Sequence, residues 1–404
     1  MSVSTDYTKG YIAGFGDGKA GRHQLYTSTA PAATATPAAA PVQSPAVAAT
    51  APAPAVAAPV VDATPAGVVA ATGQVAANPA PAIITVKPTD NIQTIVAALK
   101  GGEALQLVPG GNYTWQGPVA WKVPNVSFNF SGATITFTMK PNWNMCFQVQ
   151  GAGTKLYSGT FKVAANTQYC LFRVYADGVT ISGNKIGNGF CNALITDHGG
   201  TNCSFVSNVV GLTNSCSVFL TQDGGTLNGN VFAGSIGEAT LRIDRILTTD
   251  PNGANISIIG NAIRSVAGSN LKGICEWRQA GAGCSFTSNF CYDYVRIGQD
   301  YQTTTNGSIG NVAVSNNTWM QLPPTSVNEH LMLKNGTVTV VGNIFPVNAS
   351  TQVAYGSGHV DVTFSKNTLK LTASGVKPKP SIIEADATCT VHDDNTATII
   401  PFTA

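Results

Sequence analysis

The sequence predicts an all-β fold, a parallel β-helix wound as a solenoid, and three observations predict it. First, from Val179 to Leu369 one short pattern returns eight times with an asparagine at the same place. The copies read ISGNKI (Ile181–Ile186), FVSNVV (Phe205–Val210), LNGNVF (Leu227–Phe232), IIGNAI (Ile258–Ile263), FTSNFC (Phe286–Cys291), VSNNTW (Val314–Trp319), VVGNIF (Val340–Phe345) and FSKNTL (Phe364–Leu369). Second, the asparagines, Asn184, Asn208, Asn230, Asn261, Asn289, Asn317, Asn343 and Asn367, lie 24, 22, 31, 28, 28, 26 and 24 residues apart. A period in the twenties that tolerates insertions marks a solenoid, in which each turn buries its apolar face only against its neighbours. Third, every copy has an apolar residue three before the asparagine and another two after it, in short alternating or β-branched runs, so the elements are strands. Stacked coils about 4.8 Å apart align equivalent asparagines, whose amides can then hydrogen-bond along the axis. Such a row is either an internal turn ladder or, facing outward, a polar binding stripe.

Taken in order, Met1–Arg22 has neither the basic start nor the apolar core of a signal peptide, so no secretory route is implied. Tyr7, Tyr11 and Phe15 alternate with glycines at intervals of three or four, which suits docking of residues 1–26 against another protein. Residues 27–88 turn to Ala, Pro, Val and Thr with almost no charge and read as an extended linker. Its prolines forbid a spanning helix, so no membrane insertion is expected. At about 3.1 Å per residue its roughly 60 residues reach at most about 190 Å.

DNIQTIVAALKGGEALQLVPGGNYTW, from Asp90 to Trp115, predicts a short amphipathic helix. Thr89 or Asp90 can cap it, Ile92, Ile95, Val96 and Leu99 form one apolar stripe over the open end of the first coil, and Gly101-Gly102 ends it. The rhythm continues less regularly in VSFNFSGATITF and KLYSGTFKV, with Ala133 and Gly159 in the asparagine position. After Asn367 the phase survives in TCTVHDDNTATII, where Asp394 falls 27 residues on, so the β-helix domain is assigned to 89–404.

Charged residues are 10% of the chain and the formal net charge is +2, which gives no electrostatic case for nucleic acid. Abundant Gly, Asn, Thr and Ser suit turns and outward strand faces, and with aromatic side chains they suit contact with sugars. Nine cysteines without CxxC pairs, or histidines at ligand spacing, argue against a zinc site. Cys203 and Cys284 both precede Ser-Phe in equivalent coil positions, the behaviour of a small buried hydrophobe, and free thiols fit synthesis in a reducing cytoplasm.

On the asparagine pattern and the Asp90–Trp115 opening, the chain from about Ile84 to Thr396 resembles the pectin-lyase-like right-handed parallel β-helix proteins, a group that includes polysaccharide lyases, glycoside hydrolases and bacteriophage tailspikes. In that group a short helix caps the open end and a strand ending in Pro-Gly-x-Tyr starts the first turn. The resemblance to its enzymes is partial. ITDH at Ile195–His198 is similar to the WIDH motif of pectate lyases but lacks its Trp, and TTDPNG at Thr248–Gly253 and VRIG at Val295–Gly298 are similar to fragments of the polygalacturonase pattern. The only adjacent aspartate pair, Asp393-Asp394, lies at the far end. No catalytic set carries over, no cofactor or metal is implied, and no acidic cluster suited to calcium is evident.

Chemistry is expected on the outer face of the second strand in each coil, near Asp197, Asp223, Asp244, Glu276 and Arg296. Glycoside hydrolysis needs two acids about 5 to 9 Å apart, one to deliver a proton and the other to attack or activate water. Asp244 with Glu276 is the best candidate pair, with Asp197 as a third acid and Arg242, Trp277, Arg278, Arg296 and His198 as substrate-binding residues. Ordinary solvated charges beside turns would look the same in sequence.

A small anchor, a long linker and a rigid rod without a secretion signal resemble a bacteriophage virion appendage, a tailspike, tail fibre or head fibre. On that resemblance residues 1–26 bind a virion protein, the chain is made in the host cytoplasm and displayed on the virion surface, and homotrimers multiply weak contacts to host-surface polysaccharide. Three functions stay open: a polysaccharide binder, a polysaccharide hydrolase or lyase, and a structural capsid decoration.

Overall fold

The chain divides into two units, Met1–Val75 and Ala76–Ala404. The computed structural model describes residues 82–404 apart from 140–143, 165–167, 245–252, 267–272, 279–281, 299–309, 325–326, 335, 357–359, 375–382, 386–388, 394–397 and 402–404. Tyr7, Tyr11 and Phe15, nearly all of the linker, and Asp394 fall outside the described residues.

Each coil passes through three strands in turn, and equivalent strands stack into three parallel sheets. Among the described residues, sheet A has 13 strands, sheet B 12 and sheet C 11. The two apolar positions of the repeated pattern explain the stacking. The residue three before each asparagine lies on sheet A, where Ile181, Phe205, Leu227, Ile258, Phe286, Val314, Val340 and Phe364 are in register. The residue two after it lies on sheet B, where Ile186, Val210, Phe232, Ile263, Cys291 and Trp319 follow one another. Sheet C closes the coil with Phe172, Leu194, Val218, Leu241, Cys275, Val295 and Leu331. All of these belong to one continuous apolar core. Burying each large side chain contributes roughly 1.5–3 kcal/mol relative to exposure, which only a neighbouring coil can supply.

The asparagine marks the corner between sheets A and B. The residue before it takes a left-handed conformation in each coil, with φ of 63° at Gly183, 53° at Ser207, 56° at Asn316 and 52° at Lys366. That geometry accounts for the preference for Gly, Ser or Asn at this place. Each asparagine side chain then completes a ladder. Its Oδ1 accepts the backbone N–H of the preceding coil's asparagine at 2.8–3.0 Å and that residue's Nδ2–H at 2.9–3.1 Å. Its own Nδ2 also donates to a sheet A carbonyl of the preceding coil, as Asn261 does to Leu227 at 3.0 Å. Gly159 donates its N–H to Asn184 Oδ1 and so starts the ladder. All eight asparagines are buried. Of the two readings open in the sequence, the row is the internal ladder and offers no binding stripe.

The helix is Ile92–Ala97, and Ile92, Val96 and Leu99 bury the expected stripe against the first coil. Its cap is Asn91, one residue later than expected: Asn91 Oδ1 accepts the N–H groups of Gln93 and Thr94, while the Asp90 carboxylate turns back to the Lys87 N–H at 2.7 Å. Gln93 donates to the carbonyls of Gln116 and Pro118, which ties the helix to the coil it covers. A second correction concerns the linker. Ile83–Val86, inside the stretch read as linker, pairs in register with Ala104–Leu107 and is the first strand of sheet A. Its alternation was masked by the apolar composition on either side. All nine cysteines are free thiols. Cys203 and Cys284 do sit in equivalent places, each donating to a turn carbonyl at 3.1 Å, from Gly200 and Gly253.

Candidate functional site

Most sequence-selected residues come together on the outer face of sheet C, and strand alternation puts them there. Leu241 and Ile243, Cys275 and Trp277, and Val295 and Ile297 point into the core, so the residue between each pair points outward. Register places Arg242, Glu276 and Arg296 side by side on three successive coils. The same row contains Arg173, Ile195 and Phe219 on the three coils before them. Asp244 and Arg278, two residues further along their strands, stand beside this row.

The resulting charges form a connected network. Arg242 Nη2 lies 2.7 Å from Asp244 Oδ2, and Arg278 Nη1 lies 3.6 Å from the same oxygen. Arg278 Nη2 is 3.0 Å from Glu276 Oε2, and Arg296 Nη1 is 3.8 Å from Glu276 Oε1. Three guanidinium groups thus hold two carboxylates, and Glu276 is 0% exposed. Arg242 also lies over the Phe219 ring at 4.9 Å and Arg296 near the Tyr294 ring at 5.6 Å, contacts that favour a cation. Burial works against the charge on Arg242, yet its pKa is raised because the Asp244 carboxylate outweighs that cost. Among the described residues, neither Glu276 oxygen has a well-directed hydrogen bond, so ion pairing is its main support.

Asp197 is not part of this network. It is fully buried and held by Arg173, whose Nε and Nη2 donate to Oδ2 at 3.0 and 2.5 Å. Its other oxygen accepts the His198 backbone N–H at 2.9 Å, and the His198 ring is more than 40% exposed at 3.9 Å from it. The apolar cluster of Cys170, Ile195, Cys216 and Phe219 occupies the same outer face. Arg173 was not selected from the sequence, although FRV at Phe172–Val174 and LIT at Leu194–Thr196 occupy the same coil position and put Arg173 one coil from Asp197.

Trp277 requires a correction. Expected to bind substrate, it is 0% exposed and packs edge-on to Phe286 inside the core. Its strand, Cys-Glu-Trp, can turn only one parity outward, and the charge takes it.

A second polar centre, at the corner between sheets B and C, was also not selected. Asp293 is mostly buried, its Oδ2 bonded to the Ser265 hydroxyl and its Oδ1 accepting the Tyr294 N–H at 2.8 Å. Burial raises its pKa above the ordinary carboxylate range, against the lowering effect of these two hydrogen bonds. Arg264 stacks on the neighbouring Tyr292 ring at 4.0 Å. The cysteines are poor nucleophiles, since burial pushes the Cys203 and Cys216 thiols up to about 12. Among the described residues, no three His, Cys, Asp or Glu side chains converge as a metal site.

The fold defines the class, the parallel β-helix proteins. The chain is similar to a PL6 alginate lyase in complex with a trisaccharide, with 10% sequence identity and a TM-score of 0.52, over 81% of this chain and 87% of that one. It is also similar to the endo-xylogalacturonan hydrolase from Aspergillus tubingensis, at 14% identity and a TM-score of 0.47, over 79% and 93% of the two chains. A third similar structure is ORF18 of Geobacillus virus E2, at 12% identity and a TM-score of 0.45, over 78% and 62%. At these identities the likeness is one of fold. No protein-family model and no curated protein sequence matches the chain.

Proposed function

We propose that this chain is a bacteriophage virion appendage whose β-helix binds host-surface polysaccharide without cutting it. The layout of anchor, linker and rod supports the first half of the reading. One observation carries the second: Asp197, Asp244 and Glu276 are each engaged by arginine, and Glu276 and Asp197 are shielded from solvent. A hydrolase needs one carboxyl group free to give up a proton to substrate and another free to attack or activate water. Acids clamped between guanidinium groups serve instead to fix those groups in place, and fixed arginines with aromatic neighbours suit sugar recognition.

A depolymerase is the second reading, favoured by Asp293. Its raised pKa suits a proton donor, and it lies outside the arginine network. The full chain is incubated with purified host-surface polysaccharide, and products and retained polymer are both measured. Binding with intact polymer is the expected result, weakened by Arg242→Ala or Arg296→Ala. Shortened chains that disappear in Asp293→Asn would establish the depolymerase, and neither binding nor cleavage would leave a decoration protein.

A further inference from the structure

One local patch of sheet B combines exposed aromatic surface with an unneutralised cation. The outer row of this sheet runs Lys185, Val209, Val231, Ala262, Phe290, Thr318 and Ile344 in register. A second row lies beside it. The N–H groups of Arg264, Tyr292 and Met320 donate to the carbonyls of Phe232, Ile263 and Cys291, which sets these three residues side by side on successive coils. Phe290 and Met320 are each 49% exposed, and the exposed Arg264 lies over the Tyr292 ring at 4.0 Å. Ala262 and Ala233 precede Phe290 and Arg264 in the two rows, so the ring and the guanidinium stand above a low floor.

Arg264 differs from the other described arginines. Arg173, Arg242, Arg278 and Arg296 are each paired with a carboxylate, whereas Arg264 has no acid at ion-pair distance. Asp293 is near in sequence but mostly buried, its oxygens taken up by Ser265 and the Tyr294 N–H. Lys185 stands four coils from Phe290, about 19 Å along the axis.

We infer that Phe290, Tyr292 and Arg264 form a binding site for one sugar unit bearing a carboxylate, on a face of the rod separate from the sheet C arginines. Charge sets the sign of the ligand. Arg264, seated over Tyr292, presents the edge of its guanidinium for a two-pronged bond to a carboxylate. Phe290, two residues from Tyr292 and about 6.8 Å away, supplies the apolar surface on which the C–H side of a sugar ring packs. The exposed Gln321 amide, anchored by its donation to the Tyr292 carbonyl, offers an acceptor for a sugar hydroxyl. Size argues against a protein in this place. Two rows over three coils cover on the order of 100 Å², against about 800 Å² per partner in a stable protein interface. The inference rests on the saccharide reading above for its ligand class and adds a second place for that ligand.

Two methionines report on the two faces, Met320 beside Tyr292 on sheet B and Met332 beside Arg296 on sheet C. The full chain, with methyl-labelled methionine, is titrated by NMR with sodium glucuronate, glucose and sodium acetate at constant ionic strength. The Met320 signal is expected to move and saturate with glucuronate, with glucose and acetate at least about tenfold weaker. Arg264→Gln and Phe290→Ala should each weaken glucuronate at least about tenfold. A Met320 signal that ignores glucuronate, follows glucose or acetate equally well, or responds equally in Arg264→Gln overturns the site. A shift at Met332 alone also overturns it, while leaving saccharide binding on sheet C intact. A Met320 response from a chain that retains no host polysaccharide keeps the site and removes the polysaccharide reading instead.

Discussion

The asparagine corner and the outer face of sheet C are both buried polar arrays, yet they are built in opposite ways. At the corner every amide is partnered by the same atom of the next coil, and the array repeats because the backbone repeats. On sheet C no two coils carry the same side chain in sequence along the row from Ile195 to Arg296, and the charges are balanced by ion pairs at 2.7 to 3.8 Å. A periodic polar row stabilises the solenoid; an aperiodic one carries no repeat-wide structural rule and is free to be shaped by a ligand.

The largest expected effect breaks the aperiodic array. Glu276→Gln removes the buried carboxylate beside Arg296 and one of the two carboxylates beside Arg278, and should lower stability by about 3–5 kcal/mol. Urea midpoints read this directly, and a change below about 1 kcal/mol would show that the network is open to water. Breaking the ladder comes next. Asn261→Ala removes the acceptor of two Asn230 donors and the donor to the Leu227 carbonyl, for an expected loss of about 3 kcal/mol. Asn228→Ala, at an exposed position one coil earlier, should stay within about 0.5 kcal/mol. Equal effects at the two sites would mean that the ladder is energetically idle.

A third test uses a buried polar group that belongs to neither array. His330 donates Nε2–H to the Pro346 carbonyl at 2.7 Å, with its ring beside the paired Trp319 and Phe345 rings. Burial lowers its pKa to about 4, outweighing the Pro346 contact. Because the folded value is below the ordinary 6.5, the unfolded chain binds the proton first. The neutral ring's contribution is therefore complete above pH 6.5 and is lost as pH falls towards 4, by about 3 kcal/mol. Subtracting the pH dependence of His330→Leu from that of wild type isolates this slope, and identical profiles refute it. The smallest effect sharpens the corner geometry: Lys366 holds φ of 52° where four other coils use glycine, so Lys366→Gly should raise stability by up to about 1 kcal/mol in thermal unfolding.

Much of the fold was legible in the sequence because the solenoid repeats one environment. Eight asparagines at spacings of 22 to 31 residues marked the A–B corner, and the stripe from Ile92 to Leu99 marked the cap. The candidate site was half legible. Arg242, Asp244, Glu276, Arg278 and Arg296 did converge, because they sit at matching places in successive coils. Trp277 was misread because a three-residue strand has too few alternations to reveal its parity alone. The flanking strands Leu-Arg-Ile and Val-Arg-Ile, aligned with Cys-Glu-Trp, held the missing signal. Asp293 had no such signal, since corners between sheets B and C vary in length and composition.

The sequence by itself determined the coil, its corner and its capped N-terminal end, because each depends on contacts within one repeat or between identical repeats. Tertiary structure decided which carboxylates are clamped, which tryptophan is buried and which arginine is left without a carboxylate. Those outcomes depend on strand parity and on register between non-identical residues some 20 to 34 positions apart, as for Arg242 beside Glu276, and neither is written in any single repeat.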